Sequence, residues 1–147
     1  MKVSEWLKRG METKDPVDKL SNLWRGFNNL YSPENGGSER NKIKNYLSNK
    51  ITEEYASKII NECNENIAYL LFQPVIDMRG NGQNTERDIY AFKSAKSELE
   101  KLKSLFLIIY QVRCNLEHGQ KSPSQERDVV LCMHSSSIVT KVLEKCT

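Results

Sequence analysis

The string Tyr110-Gln111-Val112-Arg113-Cys114-Asn115-Leu116-Glu117-His118-Gly119-Gln120-Lys121 holds the densest chemistry in the chain. An apolar helical run turns polar here within one or two turns. It ends on one of only two histidines, directly before a glycine. An imidazole that titrates near neutral pH suits proton transfer. A planar guanidinium suits phosphate oxygens, which it grips through paired hydrogen bonds. On a straight helix, positions five apart are separated by about 140°. Arg113 and His118 therefore converge only through the length of arginine and a turn that adjusts before Gly119. Arg113 and Glu117, four apart, are natural ion-pair neighbours.

Metal chemistry finds no matching pattern. Cys63, Cys114, Cys132 and Cys146 are widely spaced, with no Cys-x-x-Cys and no paired histidines, so zinc-ligand spacing is absent. No cofactor is expected. Met1-Lys2-Val3-Ser4-Glu5-Trp6-Leu7 has neither the apolar core nor the small-residue cleavage site of a secretory signal. The expected setting is therefore cytoplasmic, with free thiols. No apolar run approaches the ~20 residues of a membrane-spanning helix, so no membrane partner is expected.

The elements that must position these residues have helical periodicity almost throughout. Asp15-Pro16 predicts an N-cap and first helical residue, and Val17, Leu20, Trp24, Phe27 and Tyr31 follow as an apolar stripe. Residues 32–37 form a loop, and Ser38 caps a shorter helix with Ile43, Tyr46 and Leu47. Thr52 starts a helix whose stripe runs Ala56, Ile59/Ile60, Cys63, Ile67 and Leu70/Leu71 to a stop at Pro74. Residues 74–84 are the longest non-helical stretch, and loops of that length commonly carry function. Thr85 opens the longest helix, apolar on nearly every side around residues 105–109 and so central or in a subunit interface. Ser122-Pro123-Ser124-Gln125 is a capping box that starts the last helix. The expected architecture is an all-α, single-domain bundle of about five helices over residues 15–147, with residues 1–14 as a looser lead-in.

Arg-x-x-x-x-His at the end of an apolar helix, followed by glycine and a basic residue, is similar to the signature of the HEPN superfamily. Val112-Arg113-x-Asn115-Leu116-x-His118-Gly119 resembles its bacterial Apea-like branch in particular. Leu23-Trp24-Arg25-Gly26-Phe27-Asn28-Asn29-Leu30-Tyr31 and Ser38-Glu39-Arg40 resemble the same branch. Two positions depart from the pattern: Cys114 follows the arginine, where a polar residue is common, and Glu117 stands where relatives tend to be aromatic.

The resemblance implies a HEPN-like bundle and metal-independent cleavage of RNA, with single-stranded RNA the expected partner. The ribose 2′-hydroxyl is the nucleophile, giving 2′,3′-cyclic phosphate and 5′-hydroxyl ends. In that chemistry Arg113 clamps the phosphate and stabilises the transition state, while His118 is general acid or base. Asn115 orients these groups or the phosphate, and Lys121 holds the RNA backbone. Apart from the resemblance, Glu117 beside His118 is expected to raise the imidazole pKa by stabilising its charged form. One histidine does not easily serve both proton roles, so a homodimer pairing two sites at a two-fold interface is implied. The resemblance also implies a toxin–antitoxin or phage-defence setting, with an antitoxin or nucleotidyltransferase as partner. The other reading of the same bundle is a non-catalytic module that binds RNA, nucleotide or a protein partner.

Charge distribution adds candidates. The chain has 147 residues, with 22 Lys+Arg against 19 Asp+Glu and a formal charge of +3. Tight non-specific polyanion binding asks for more than that, whereas a local site needs only a few well-placed cations. Residues 40–52 contain Arg40, Lys42, Lys44 and Lys50 without an acid. Arg40, Lys42, Lys44 and the loop residue Arg79 are therefore candidate RNA contacts. His134, among Cys132, Met133 and Ser135, is expected to be structural.

Overall fold

The computed structural model describes residues 2–117 and 126–147, without the side chain of Glu117. Eight helices occupy the described residues: α1 (Val3–Glu12), α2 (Pro16–Tyr31), α3 (Glu39–Lys50), α4 (Glu53–Glu62), α5 (Asn64–Phe72), α6 (Glu86–Ser94), α7 (Glu98–Glu117) and α8 (Glu126–Cys146). The all-α expectation holds, while the helix count is higher than five. No described helix is long and apolar enough to cross a membrane.

Three starts follow the predicted capping chemistry. The side chains of Asp15, Ser38 and Thr52 accept hydrogen bonds from the backbone N–H groups of Asp18, Asn41 and Tyr55 at 3.1, 3.2 and 3.1 Å. Each satisfies a donor that the first helical turn leaves open. The capping box at 122–125 lies outside the described residues.

The additional helices have physical causes. Residues 3–12, read as a lead-in, are helical and pack on α2 and α8. Glycines allow the close crossing: a Cβ on Gly10 would lie 2.5 Å from Leu23 Cδ2, and one on Gly26 3.0 Å from Trp6 Cβ. The helix expected from Thr52 to Pro74 breaks at Cys63, whose φ −104° and ψ 21° separate α4 from α5. The helix expected from Thr85 breaks at residues 95–97. Beyond that break the Glu53 carboxylate caps α7 from across the fold, accepting from the N–H groups of Glu98 and Leu99 at 2.7 and 2.9 Å.

Helix α7 is central, packing against α3, α4, α6, α2 and α8. Leu105, Phe106, Leu107, Ile108 and Ile109 are all buried, as their unbroken apolar sequence demands. Trp24, Phe27 and Tyr31 of α2 form an edge-on aromatic cluster, and Phe106 of α7 packs on Phe27 at 5.0 Å between ring centroids. This core fixes the line of α7, and with it the direction in which its polar end projects.

Candidate functional site

The polar end of α7 opens onto a cleft of about 300 Å³. Four arginines line it, each from a different element: Arg40 from α3, Arg79 from the 73–85 loop, Arg87 from α6 and Arg113 from α7. Glu39, Asp77, Asp88, Tyr110 and Cys114 complete the charged and polar wall. A larger groove of about 540 Å³ lies elsewhere, lined by Met11, Met133, Lys14, Lys19 and Lys141 among others. It contains none of the candidate catalytic or RNA-binding residues, so chemistry rather than size selects the arginine cleft.

The loop wall is held by its own hydrogen bonds. Residues 73–85 fold back on themselves, with Ile76 and Asn84 forming an isolated antiparallel bridge. The Asp77 N–H donates to Gln83 O at 2.9 Å, and the Thr85 N–H to Val75 O at 3.1 Å. Thr85, expected as a cap, is buried. Its hydroxyl oxygen accepts from the Val75 N–H at 2.9 Å and closes the loop instead. Gly80 and Gly82 make the turn at φ 77° and 75°, a region where a side chain is strained.

Asp77 is the electrostatic centre of this loop and is 2% exposed. Its carboxylate accepts from Arg79 Nη2 at 2.6 Å, from Arg79 Nε at 3.0 and 3.1 Å, and from the Arg79 N–H at 3.0 Å. Asn81 Nδ2 donates to it at 3.1 Å. The Arg79 side chain holds the Asp77 carboxyl well below the usual carboxylate range, against burial, which pushes it up. The acid thus stays charged and aims the arginine.

Asn115 ties the loop to α7. Its Nδ2 donates to Ile76 O at 2.8 Å, while its Oδ1 accepts from the Met78 N–H at 3.0 Å and from Gln111 Nε2 at 3.0 Å. The side chain is buried, with both ends of its amide engaged. Its structural role is to hold the wall that carries Arg79.

The opposite wall is also paired. Arg40 Nη2 and Nη1 donate to Asp88 Oδ1 and Oδ2 at 2.8 and 3.3 Å, bridging α3 to α6. Glu39 accepts from the Tyr31 and Tyr110 hydroxyls at 2.8 and 2.9 Å. Burial raises the Tyr110 pKa most, followed by the adjacent Cys114, so its phenol stays protonated at neutral pH. Cys114 is half-buried in the same wall.

The sequence-derived candidates therefore divide. Arg113, Arg79 and Arg40 meet in one cleft, with Asn115 behind it. Lys42 and Lys44 of α3 are half-buried and do not line it. His118 and Lys121, and the Glu117 side chain, lie outside the described residues. His134 stacks on Tyr69 at 4.6 Å, and its Nδ1 pairs with Asn66 Nδ2 at 2.9 Å, the structural position expected of it. Asp77, Arg87 and Asp88 went unnoticed in the sequence. They lie 25 or more residues from Arg113 in the chain, and only the packing of α6 and the loop against α7 gathers them. Glu39-Arg40 was the available signal, as part of the second string that carried the resemblance. Among the described residues no three His, Cys, Asp or Glu side chains gather as a metal-ligand set.

Compared with family models, curated proteins and solved structures, the chain matches none.

Proposed function

We propose that the chain is a metal-independent endoribonuclease of the HEPN type, working at the arginine cleft. One observation carries the reading: four arginines from four elements line the cleft at the end of α7, and one of them, Arg113, stands five residues before His118 in the chain. Clustered guanidiniums fit the oxygens of a phosphodiester and the extra charge of its pentacoordinate transition state. In this reading Arg113 holds the scissile phosphate. His118 moves the proton between the ribose 2′-hydroxyl and the 5′-oxygen leaving group. Cleavage leaves a 2′,3′-cyclic phosphate and a 5′-hydroxyl. A homodimer sets two such histidines at one two-fold site, so that one acts as base while the other acts as acid. The same resemblance suggests a toxin–antitoxin or phage-defence role in the cytoplasm.

The test is incubation of the purified chain with single-stranded RNA in EDTA. Wild-type protein is expected to cleave, with His118→Ala slower by roughly 10²–10⁴-fold. Binding without cleavage by the wild type selects the non-catalytic module instead.

A further inference from the structure

We infer that Arg79 and Arg87 form a second phosphate subsite in the cleft, one that grips a phosphodiester of the same RNA strand other than the scissile one. The inference rests on the reading of the cleft as an RNA site and adds to it the residues that set the path of the strand.

The argument starts from which donors remain. A guanidinium has five N–H donors in a fixed fork. Arg40 gives both terminal nitrogens to Asp88, and its side chain is largely covered. It is a buttress between α3 and α6. Arg79 differs: Asp77 takes its Nε and Nη2, on one side of the fork. The Nη1 side remains for a ligand, and the Arg79 side chain is 56% exposed. Pairing with Asp77 therefore orients this arginine without exhausting it.

Arg87 is the complement. It lines the same cleft from α6, is exposed, and has no hydrogen bond or ion pair among the described residues. Of the two acids that flank it, Asp88 is committed to Arg40, and the exposed Glu86 makes no ion pair with it. Two exposed guanidiniums, one from the loop and one from α6, thus line one cleft with Arg113. The loop that carries Arg79 is tied by Asn115 to the helix that carries Arg113. Both phosphate contacts are thereby held in register by one side chain, as accurate positioning of a strand requires. Single strands are held by such backbone-tracking cations, and their binding is correspondingly salt-dependent.

The experiment uses the full chain and a 2′-O-methyl single-stranded oligonucleotide, which binds but offers no 2′-hydroxyl nucleophile. Affinity is measured by fluorescence anisotropy across a salt series. Arg87→Gln is expected to lower the slope of log K against log salt by about 0.7, and to weaken binding about fivefold at 0.1 M salt. Arg87→Lys keeps the charge and should keep the slope. On cleavable RNA, Arg87→Gln should raise KM by a larger factor than it lowers kcat. If wild-type protein fails to bind, or Arg87→Gln binds with wild-type affinity and slope, the subsite is overturned. The nuclease reading is judged separately: His118-dependent cleavage with a neutral Arg87→Gln sinks the subsite alone. An Arg87-dependent salt slope without any cleavage sinks the nuclease alone.

Discussion

The side-chain amide of Asn115 donates to the carbonyl oxygen of Ile76 at 2.8 Å, joining the last turns of the central helix to the loop 39 residues earlier. With the Met78 N–H bonded to the same side chain, one residue of α7 fixes two backbone groups of the loop. The wall that carries Asp77 and Arg79 is therefore part of the helix frame rather than an independent flap.

Asn115→Ala leaves the Ile76 carbonyl and the Met78 N–H without their partner, an expected loss of about 1–3 kcal/mol. Urea unfolding measures the loss. Hydrogen exchange should show faster exchange at residues 76–84 and little change in α2. Asn115→Asp keeps the acceptor for the Met78 N–H but sets a buried carboxylate against the Ile76 carbonyl, and should be at least as unstable as Asn115→Ala. Unchanged loop exchange in Asn115→Ala would contradict the clamp.

Acid should loosen the same wall through Asp77. Arg79 depresses the carboxyl pKa in the folded chain, so the stabilisation is complete above the unfolded value of about 3.9. It is lost as pH falls through the lower, folded-state value. Asp77→Asn removes this component. Between pH 5 and pH 2 its urea midpoint should fall less steeply than that of the wild type; parallel slopes would count against the pairing.

Arg40→Met leaves the buried Asp88 without the guanidinium that bridges α3 to α6, and should cost about 1–3 kcal/mol. Replacing both partners, as in Arg40→Met with Asp88→Leu, removes the stranded charge and should recover much of that loss. Denaturant unfolding of the single and double variants decides it. If the double variant is as unstable as the single one, the pair contributes by more than mutual neutralisation.

The titration of His134 tests its structural role. Burial lowers the His134 pKa, so the folded chain favours its neutral imidazole. Its contribution to stability is full above the unfolded value of about 6.5 and is lost as pH falls from there toward the lower folded value. The chain has two histidines, so NMR should show two imidazole titrations. His134→Gln should delete the one below 6.5 and leave the pH–rate profile of RNA cleavage in place. A profile that shifts with His134→Gln would contradict a purely structural role.

Legibility in the sequence followed the range of the interactions. Caps that act over three residues, at Asp15, Ser38 and Thr52, were readable because the side chain and its N–H partner are adjacent in the chain. The burial of residues 105–109 was readable because an all-apolar helix has no solvent face. The break at Cys63 was not, since Ala56, Ile59, Cys63, Ile67 and Leu70 keep their spacing through it and all end buried. The start of α7 was hidden because its cap is Glu53, 45 residues away. Helix α1 was hidden by its charged residues Glu5, Lys8, Arg9 and Glu12; Arg9 lies over the Trp6 ring at 5.1 Å, with Arg25 of α2 beside it at 5.3 Å. At the site, Arg113 and Arg79 could be named individually, but their meeting with Arg40 and Arg87 is a property of the tertiary packing alone.

The most direct measurement of the central claim is the chemistry of the ends that the protein leaves on RNA in EDTA, read by mass spectrometry. Wild-type protein is expected to leave 2′,3′-cyclic phosphate and 5′-hydroxyl ends, and to spare any bond whose 5′-side ribose lacks the 2′-hydroxyl. His118→Ala and Arg113→Ala should leave the RNA intact on the same time scale. Cleavage that persists at the 2′-deoxy position, or that His118→Ala performs as well as the wild type, would contradict it.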